Sequence, residues 1–245
     1  MQHYIAPKFL PVHEAGSMSK LPALIFDLDG TLVDTAPDLL AATNAVLLQE
    51  GRRPANTDDL RYLVGHGASA MLAEAFKRTG EPAHPERLPA LIDAFIVHYR
   101  EHIADASVPF PGVPETLAAL AAEGARMGVL TNKPQELAEP LLEMLGLSRF
   151  FGAIHGAGRF SYVKPDPRVF HHVVEELAGH ANAPAMMIGD STTDAVTARA
   201  ANVPVILLSY GYTPDPVETL GPDAVTGDFG EIPVLVRRLM ASKRT

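Results

Sequence analysis

Short apolar runs recur along the chain, each closed by a polar, Gly or Pro position. Residues 23–26 (Ala-Leu-Ile-Phe) run straight into Asp27, and comparable runs fall at 127–130, 153–154, 185–188 and 205–208. None of them alternates apolar with polar, which is the pattern of strands buried on both faces of a parallel sheet. Longer stretches with helical periodicity separate most of them, at 113–122, 134–145 (with Pro140 as an expected kink), 167–178 and 194–201. A βαβα rhythm of this kind predicts an α/β fold, a doubly wound, Rossmann-like parallel sheet with right-handed crossovers. The interval 35–109 breaks the rhythm. Thr35 is placed to cap a helix whose apolar face includes Leu39, Ala42 and Val46 and which stops at Gly51. Further helical patterns follow at 58–63, 69–79 and 86–103, without strand signals. The expected organisation is therefore a tail over 1–20, a core domain from 21–34 and 110–245, and a small all-helical cap domain over 35–109.

Composition narrows the class. The 245 residues are 47% hydrophobic and 20% charged, enough for a buried core, and the formal net charge is −9. That balance gives no basic surface for nucleic acid or an anionic membrane. The chain has no Cys, which excludes disulfides, thiolate metal sites and Cys nucleophiles. Residues 1–19 lack a signal-peptide pattern and no apolar run approaches a membrane span, so a cytoplasmic protein, monomer or homodimer, is expected.

Four polar clusters follow predicted strands, where open α/β sheets bind ligands. Asp27 and Asp29 lie two residues apart in Asp27-Leu28-Asp29-Gly30-Thr31-Leu32-Val33-Asp34. A second acidic pair, Asp190 and Asp194, follows the run at 185–188. Carboxylates gathered this closely stay ionised only beside a cation, and a hard divalent ion such as Mg²⁺ takes carboxylates, waters and a phosphate oxygen. Thr131-Asn132-Lys133 offers a hydroxyl, an amide and backbone N–H groups. Lys164-Pro165-Asp166-Pro167 offers a cation ahead of a helix, with Asp166 as N-cap and Pro167 in the first turn. Together these residue types suit phosphoryl transfer, in which a carboxylate attacks phosphorus and cations neutralise the transferred oxygens.

Asp27–Asp34, Thr131/Asn132, Lys164 and 189–194 resemble the four signature motifs of the haloacid-dehalogenase-like superfamily, over about residues 21–236. The resemblance implies Asp27 as nucleophile, Asp29 as general acid and base, and Thr131, Asn132 and Gly30 around the phosphoryl group. It further implies Lys164 bridging nucleophile and phosphate, and Mg²⁺ held by Asp27, Asp190 and the Asp29 carbonyl, with Asp194 orienting that shell. Branches that break carbon–halogen bonds lack the second Asp, so Asp29 favours phosphate esters. Lys77, the one cap lysine, shows no sign of a phosphonatase Schiff base. Thr35-Ala36-Pro37-Asp38-Leu39, Val64-Gly65-His66-Gly67-Ala68, Thr131-Asn132-Lys133-Pro134 and Tyr210-Gly211-Tyr212 are similar to the phosphoglycolate phosphatase branch. The implied substrate is a small phosphate ester, 2-phosphoglycolate. A sugar phosphate such as N-acetylmuramate 6-phosphate is the alternative, followed by a sugar-phosphate mutase. The substrate's carboxylate would want a cationic cap contact, with His66 ahead of Arg61 and Arg100.

Other motifs read more simply. His98-Tyr99-Arg100-Glu101-His102 matches a zinc-protease spacing without a further ligand. Asp228-Phe229-Gly230 lacks its kinase companions. One of His171 and His172 is expected to be exposed. Asn202, just past the helix at 194–201, is expected in a left-handed conformation. A phosphorylation-switch domain shares the fold and the acidic cluster, but is about half this length and has no helical insert.

Overall fold

A computed structural model of the chain describes residues 21–56, 60–65 and 67–242. In chain order the strands are β1 (Ala23–Phe26), β2 (Val33–Asp34), β3 (Val108–Pro109), β4 (Met127–Pro134), β5 (Ala153–Ala157), β6 (Ala185–Gly189), β7 (Val205–Leu208) and β8 (Ala224–Thr226). The helices are α1 (Ala36–Gln49), α2 (Ala68–Thr79), α3 (Leu88–Glu101), α4 (Val113–Ala122), α5 (Gln135–Met144), α6 (Pro167–Ala178), α7 (Thr192–Ala200) and α8 (Ile232–Ser242). Six strands form a parallel sheet in the order β5-β4-β1-β6-β7-β8, with α1–α3 inserted between β2 and β3. The chain thus forms the expected doubly wound α/β core with a helical insert. β1 is central, and strand order reverses beside it, which opens a crevice at the strands' carboxyl ends.

Side chains alternate between two cores. Leu24, Phe26, Met186, Ile188 and Ile206 enter the core shared with α1–α3, whereas Ile25, Met187, Val205 and Leu207 pack toward α6 and α7. Both faces are covered, so the strands carry no polar alternation. The three-residue edge strand β8 is only partly buried and has no apolar run to announce it.

Several boundaries differ from expectation for local reasons. β4 continues past Leu130 through Thr131–Lys133, with a register break against β5 before Pro134 pairs with Ala157. α7 starts at Thr192 because Ser191 is its N-cap. Ser191 Oγ accepts from the Asp194 N–H while the Asp194 carboxylate accepts from the Ser191 N–H, a reciprocal capping box. α3 starts at Leu88, after a 3₁₀ turn at Pro85–Arg87, with a proline in its first turn. Pro140 lies within α5, which remains one helix. Of the stretch 58–63, Arg61–Leu63 form a 3₁₀ turn, and 58 and 59 lie outside the described residues.

α1 ends as expected, with Gly51 at φ 69° and a reciprocal pair of bonds, Gly51 N to Leu48 O and Arg52 N to Leu47 O. Its start does not. Thr35 occupies the N-cap position, but its hydroxyl is buried and makes no hydrogen bond among the described residues. Tyr212 Oη instead accepts from the Thr35 N–H (2.8 Å) and the Ala36 N–H (3.1 Å) and donates to Asp34 Oδ1 (2.6 Å). The two crossings between core and insert are also tied together. β2 and β3 pair antiparallel, so the interval 35–109 does contain strand after all, too short to carry a sequence signal. Asp38, buried in the first turn of α1, accepts from the Ala106 N–H, the Ser107 N–H (2.7 Å) and the Ser107 hydroxyl (2.6 Å).

Candidate active site

Adjacent strands bring their trailing residues into one cleft. Asp27 and Asp29 follow β1, Thr131 and Asn132 lie at the end of β4, and Asp190 and Asp194 follow β6. Lys164 arrives from the loop before α6, whose N-cap is Asp166, accepting from the Arg168 N–H (3.0 Å). The cleft is a cavity of about 330 Å³ that includes Asp27, Asp29, Thr131, Asn132, Lys164 and Asp190 in its lining.

Charge is compensated pairwise at its floor. The Lys164 ammonium lies 2.9 Å from Asp27 Oδ1 and 2.7 Å from Asp194 Oδ1. Lys133 Nζ lies 3.0 Å from Asp29 Oδ1, and both side chains are nearly fully buried. Asp190 accepts from the Thr31 hydroxyl (2.7 Å) and the Tyr212 N–H (2.9 Å). Asp194 Oδ2 takes the Asp190 N–H, the Ser191 N–H and the Ser191 hydroxyl (2.6 Å), so its lone pairs are already engaged. Asn132 donates to the Lys164 carbonyl (3.0 Å), while its own Oδ1 is buried without a partner among the described residues.

Burial dominates the acid–base balance. It lifts the Asp27 carboxyl to about 7, against the opposing pull of Lys164, and pushes Asp190 well above the usual carboxylate range, with Asp194 and Asp27 adding repulsion. Lys164 is held protonated by Asp194 and Asp27, which outweigh its desolvation. Asp27, Asp190 and Asp194 each bring one carboxylate oxygen to within 4.8 Å of the others. A set of hard oxygen donors whose burial opposes ionisation fits a hard divalent cation. Gly30, at φ 85°, is required by this packing. A Cβ there would stand 2.5 Å from Asp190 Oδ2 and 2.8 Å from the Tyr212 ring.

Residues 24–208 match the family described as haloacid dehalogenase-like hydrolase. The chain belongs to that family. Among curated haloacid dehalogenase-like relatives, a protein named phosphoglycolate phosphatase from Caulobacter vibrioides is 47% identical over 89% of this chain and 92% of its own. One of the same name from Agrobacterium fabrum is 42% identical over 90% of this chain and 94% of its own. A crystal structure titled as a predicted phosphoglycolate phosphatase from Haemophilus somnus superposes with a TM-score of 0.79 at 28% identity, covering 89% of this chain and 99% of that one.

Of the residues singled out in the sequence, Asp27, Asp29, Thr131, Asn132, Lys164 and Asp190 line one cleft, Asp194 pairs with Lys164 behind it, and Gly30 packs on Asp190. Arg61 and Arg100 do not join them. His66 lies outside the described residues. Arg61 pairs with Asp34 (3.1 Å) and covers the Tyr212 ring, and Arg100 pairs with Glu136 at the surface. Lys77 is exposed beside Glu74. Sequence reasoning missed Lys133 as a buried ion-pair partner, together with Thr31 and Tyr212, because their roles are set by contacts between distant segments.

The remaining motifs are structural. His98 and His102 stack on each other, His102 pairs with Asp105, and no third metal ligand joins them among the described residues. Asp228 caps a short turn by accepting from the Gly230 N–H, and Phe229 is core against Phe26. His171 and His172 are both half-buried rather than one exposed. His171 contacts the Ala181 carbonyl, and His172 stacks on Phe160 and meets the Tyr162 hydroxyl. Asn202 is left-handed, at φ 56°. No described helix is long and apolar enough to cross a membrane.

Proposed function

We propose that this phosphoric monoester hydrolase converts 2-phosphoglycolate to glycolate and phosphate through a phosphoryl group carried on Asp27. The supporting observation is the pairing of two buried carboxylates, Asp27 and Asp29, with two buried lysines at the end of the central strand. The Asp27 carboxylate attacks phosphorus and the bond to the ester oxygen breaks, with Asp29 giving that oxygen its proton. Asp29 then takes a proton from a water that attacks the same phosphorus, and the Asp27–phosphorus bond breaks. Lys164, fixed by Asp194, keeps positive charge beside Asp27 and the oxygens of the transferred group. Thr131 and Asn132 hold those oxygens from β4. Asp27, Asp190 and the Asp29 carbonyl would hold Mg²⁺, with Asp194 fixing its surroundings. When bound, the ion supplies Lewis-acid stabilisation of the phosphoryl oxygens.

A second reading, a larger ester such as N-acetylmuramate 6-phosphate, is favoured by one feature. A further cavity of about 300 Å³ opens toward the insert from the same Asp29 and Asn132. The deciding experiment is phosphate release with Mg²⁺ across 2-phosphoglycolate, hexose phosphates, N-acetylmuramate 6-phosphate and nucleotides, with Asp27→Asn as the blank. The expected result is the highest kcat/KM on 2-phosphoglycolate and less than about 10⁻³ of wild-type activity in Asp27→Asn. A lead for a sugar phosphate would overturn the substrate, and an active Asp27→Asn would overturn the nucleophile.

A further inference from the structure

The cavity on the insert side is walled by apolar side chains, among them Leu39, Met71, Ile92, Phe95 and Leu137. It shares Asp29, Asn132 and Lys133 with the carboxylate cleft, and Asp29 and Lys133 are the charged side chains among its described lining residues. Lys133 therefore stands at the neck between the two spaces. Its side chain is 3% exposed, and its ammonium meets Asp29 Oδ1 on the core side and lies 4.6 Å from the centre of the Tyr99 ring on the insert side. Tyr99 is fully buried on α3, and its hydroxyl, which faces the Lys133 ammonium, has no acceptor among the described residues. A buried hydroxyl without an acceptor is costly and rare. An ammonium carries three N–H donors; Asp29 takes one and the Tyr99 oxygen faces another, which leaves one for a ligand.

From this geometry we infer that Lys133, helped by the Tyr99 hydroxyl, is the specificity-determining residue for the alcohol part of the substrate, binding a carboxylate one carbon from the ester oxygen. The inference rests on the phosphatase reading above and deepens it. An ester oxygen hydrogen-bonded to Asp29 lies no more than about 7 Å from the Lys133 ammonium. A carboxylate on the adjacent carbon falls within hydrogen-bond reach of Lys133, whereas one at the far side of a hexose does not. The apolar walls strengthen such a contact by excluding water. The cation that discriminates substrates is thus a core lysine covered by an insert tyrosine.

The test compares 2-phosphoglycolate with 2-phosphoglycolamide, its neutral isostere, and with ethyl phosphate. Wild type should prefer the acid to the amide by about 100-fold or more in kcat/KM. Lys133→Met should reduce that preference to within about threefold, on top of whatever loss acid, amide and ethyl phosphate share through Asp29. Equal losses on acid and amide in Lys133→Met would mean that the lysine serves Asp29 alone and would overturn the inference. Tyr99→Phe, which removes one oxygen, should raise KM for the acid about tenfold and leave KM for the amide unchanged. Should Lys133→Met fail to fold, the wild-type ratio and Tyr99→Phe decide. A wild-type preference below about threefold, or an unchanged KM for the acid in Tyr99→Phe, refutes the assignment. If wild type hydrolyses other phosphate esters without an acid-over-amide preference, the inference falls and the phosphatase reading stands. Hydrolysis of no phosphate ester removes both.

Discussion

Tyr212→Phe removes one oxygen from the point where the insert leaves the core. That oxygen donates to Asp34 Oδ1 at 2.6 Å and accepts from the Thr35 and Ala36 N–H groups at 2.8 and 3.1 Å. The ring, 5% exposed, keeps its packing. A hydrogen bond to a carboxylate contributes about 1.5–3 kcal/mol net, and each buried N–H left without an acceptor costs about 1–3 kcal/mol. Asp34 retains Arg61 and is partly open to water, so the terms do not add in full, and a loss of about 3 kcal/mol is expected. For a chain of this size that corresponds to a Tm lower by about 6–12 °C. Tyr210→Phe is the matched control. It loses a single bond, to the Thr31 carbonyl (2.8 Å), and should cost about 1 kcal/mol. Urea unfolding followed by circular dichroism, with equal m-values, gives both numbers. A Tyr212→Phe variant within about 0.5 kcal/mol of wild type, or no less stable than Tyr210→Phe, would refute the claim that α1 is capped from across the chain.

Three further outcomes follow from the same geometry. Asp38→Ala strips the acceptor from the Ala106 and Ser107 N–H groups and the Ser107 hydroxyl, and should destabilise by about 3 kcal/mol in urea; a change below about 1 kcal/mol would show that this contact is not a clasp. Gly30→Ala would drive a methyl against the Asp190 carboxylate at a left-handed position, so calorimetry should show Mg²⁺ affinity lower by at least about tenfold, and unaltered affinity would remove Asp190 from the site. Burial lifts the Asp27 carboxyl from 3.8 to about 7, so the folded metal-free protein holds a proton that the unfolded chain has released, and its stability should fall as pH rises between those values. Mg²⁺ needs the carboxylate, so the Tm gain it produces should be small near pH 5 and grow toward pH 8; a gain independent of pH would sink the metal assignment.

The core was legible because its strands are buried on both faces. Each run at 23–26, 127–130, 185–188 and 205–208 is apolar throughout, as strands covered on both faces require. Local chemistry read equally well where it was self-contained. Gly51 ends α1, Asp166 starts α6, and Asn202 turns left-handed, each decided by one residue and its immediate neighbours. Thr35 failed for the opposite reason. Its type and position suit a cap, but a tyrosine 177 residues away supplies the acceptor, and nothing within the local window shows that. β2 and β3 are two residues each and exist only by pairing with one another.

The site divides along the same line. Carboxylates clustered after strands announce themselves, because their mutual repulsion at that spacing demands a cation. A lysine does not, since most lysines are solvated, and Lys133 next to Asn132 has the composition of an ordinary turn. What converts it is burial from two directions at once: Asp29 from the end of β1 and the Tyr99 ring from α3. The charge is retained there because the Asp29 carboxylate and Tyr99 more than offset the desolvation that would otherwise lower its pKa. Tyr99 belongs to the insert and Asp29 to the core, so the surroundings of Lys133 are complete only when the two parts are packed together. Any motion that parts α3 from β4 must re-expose that ammonium to water and weaken its hold on whatever sits at the neck. The recognition proposed for Lys133 is therefore tied to closure, with the insert contributing by covering a core lysine rather than through its own charged residues.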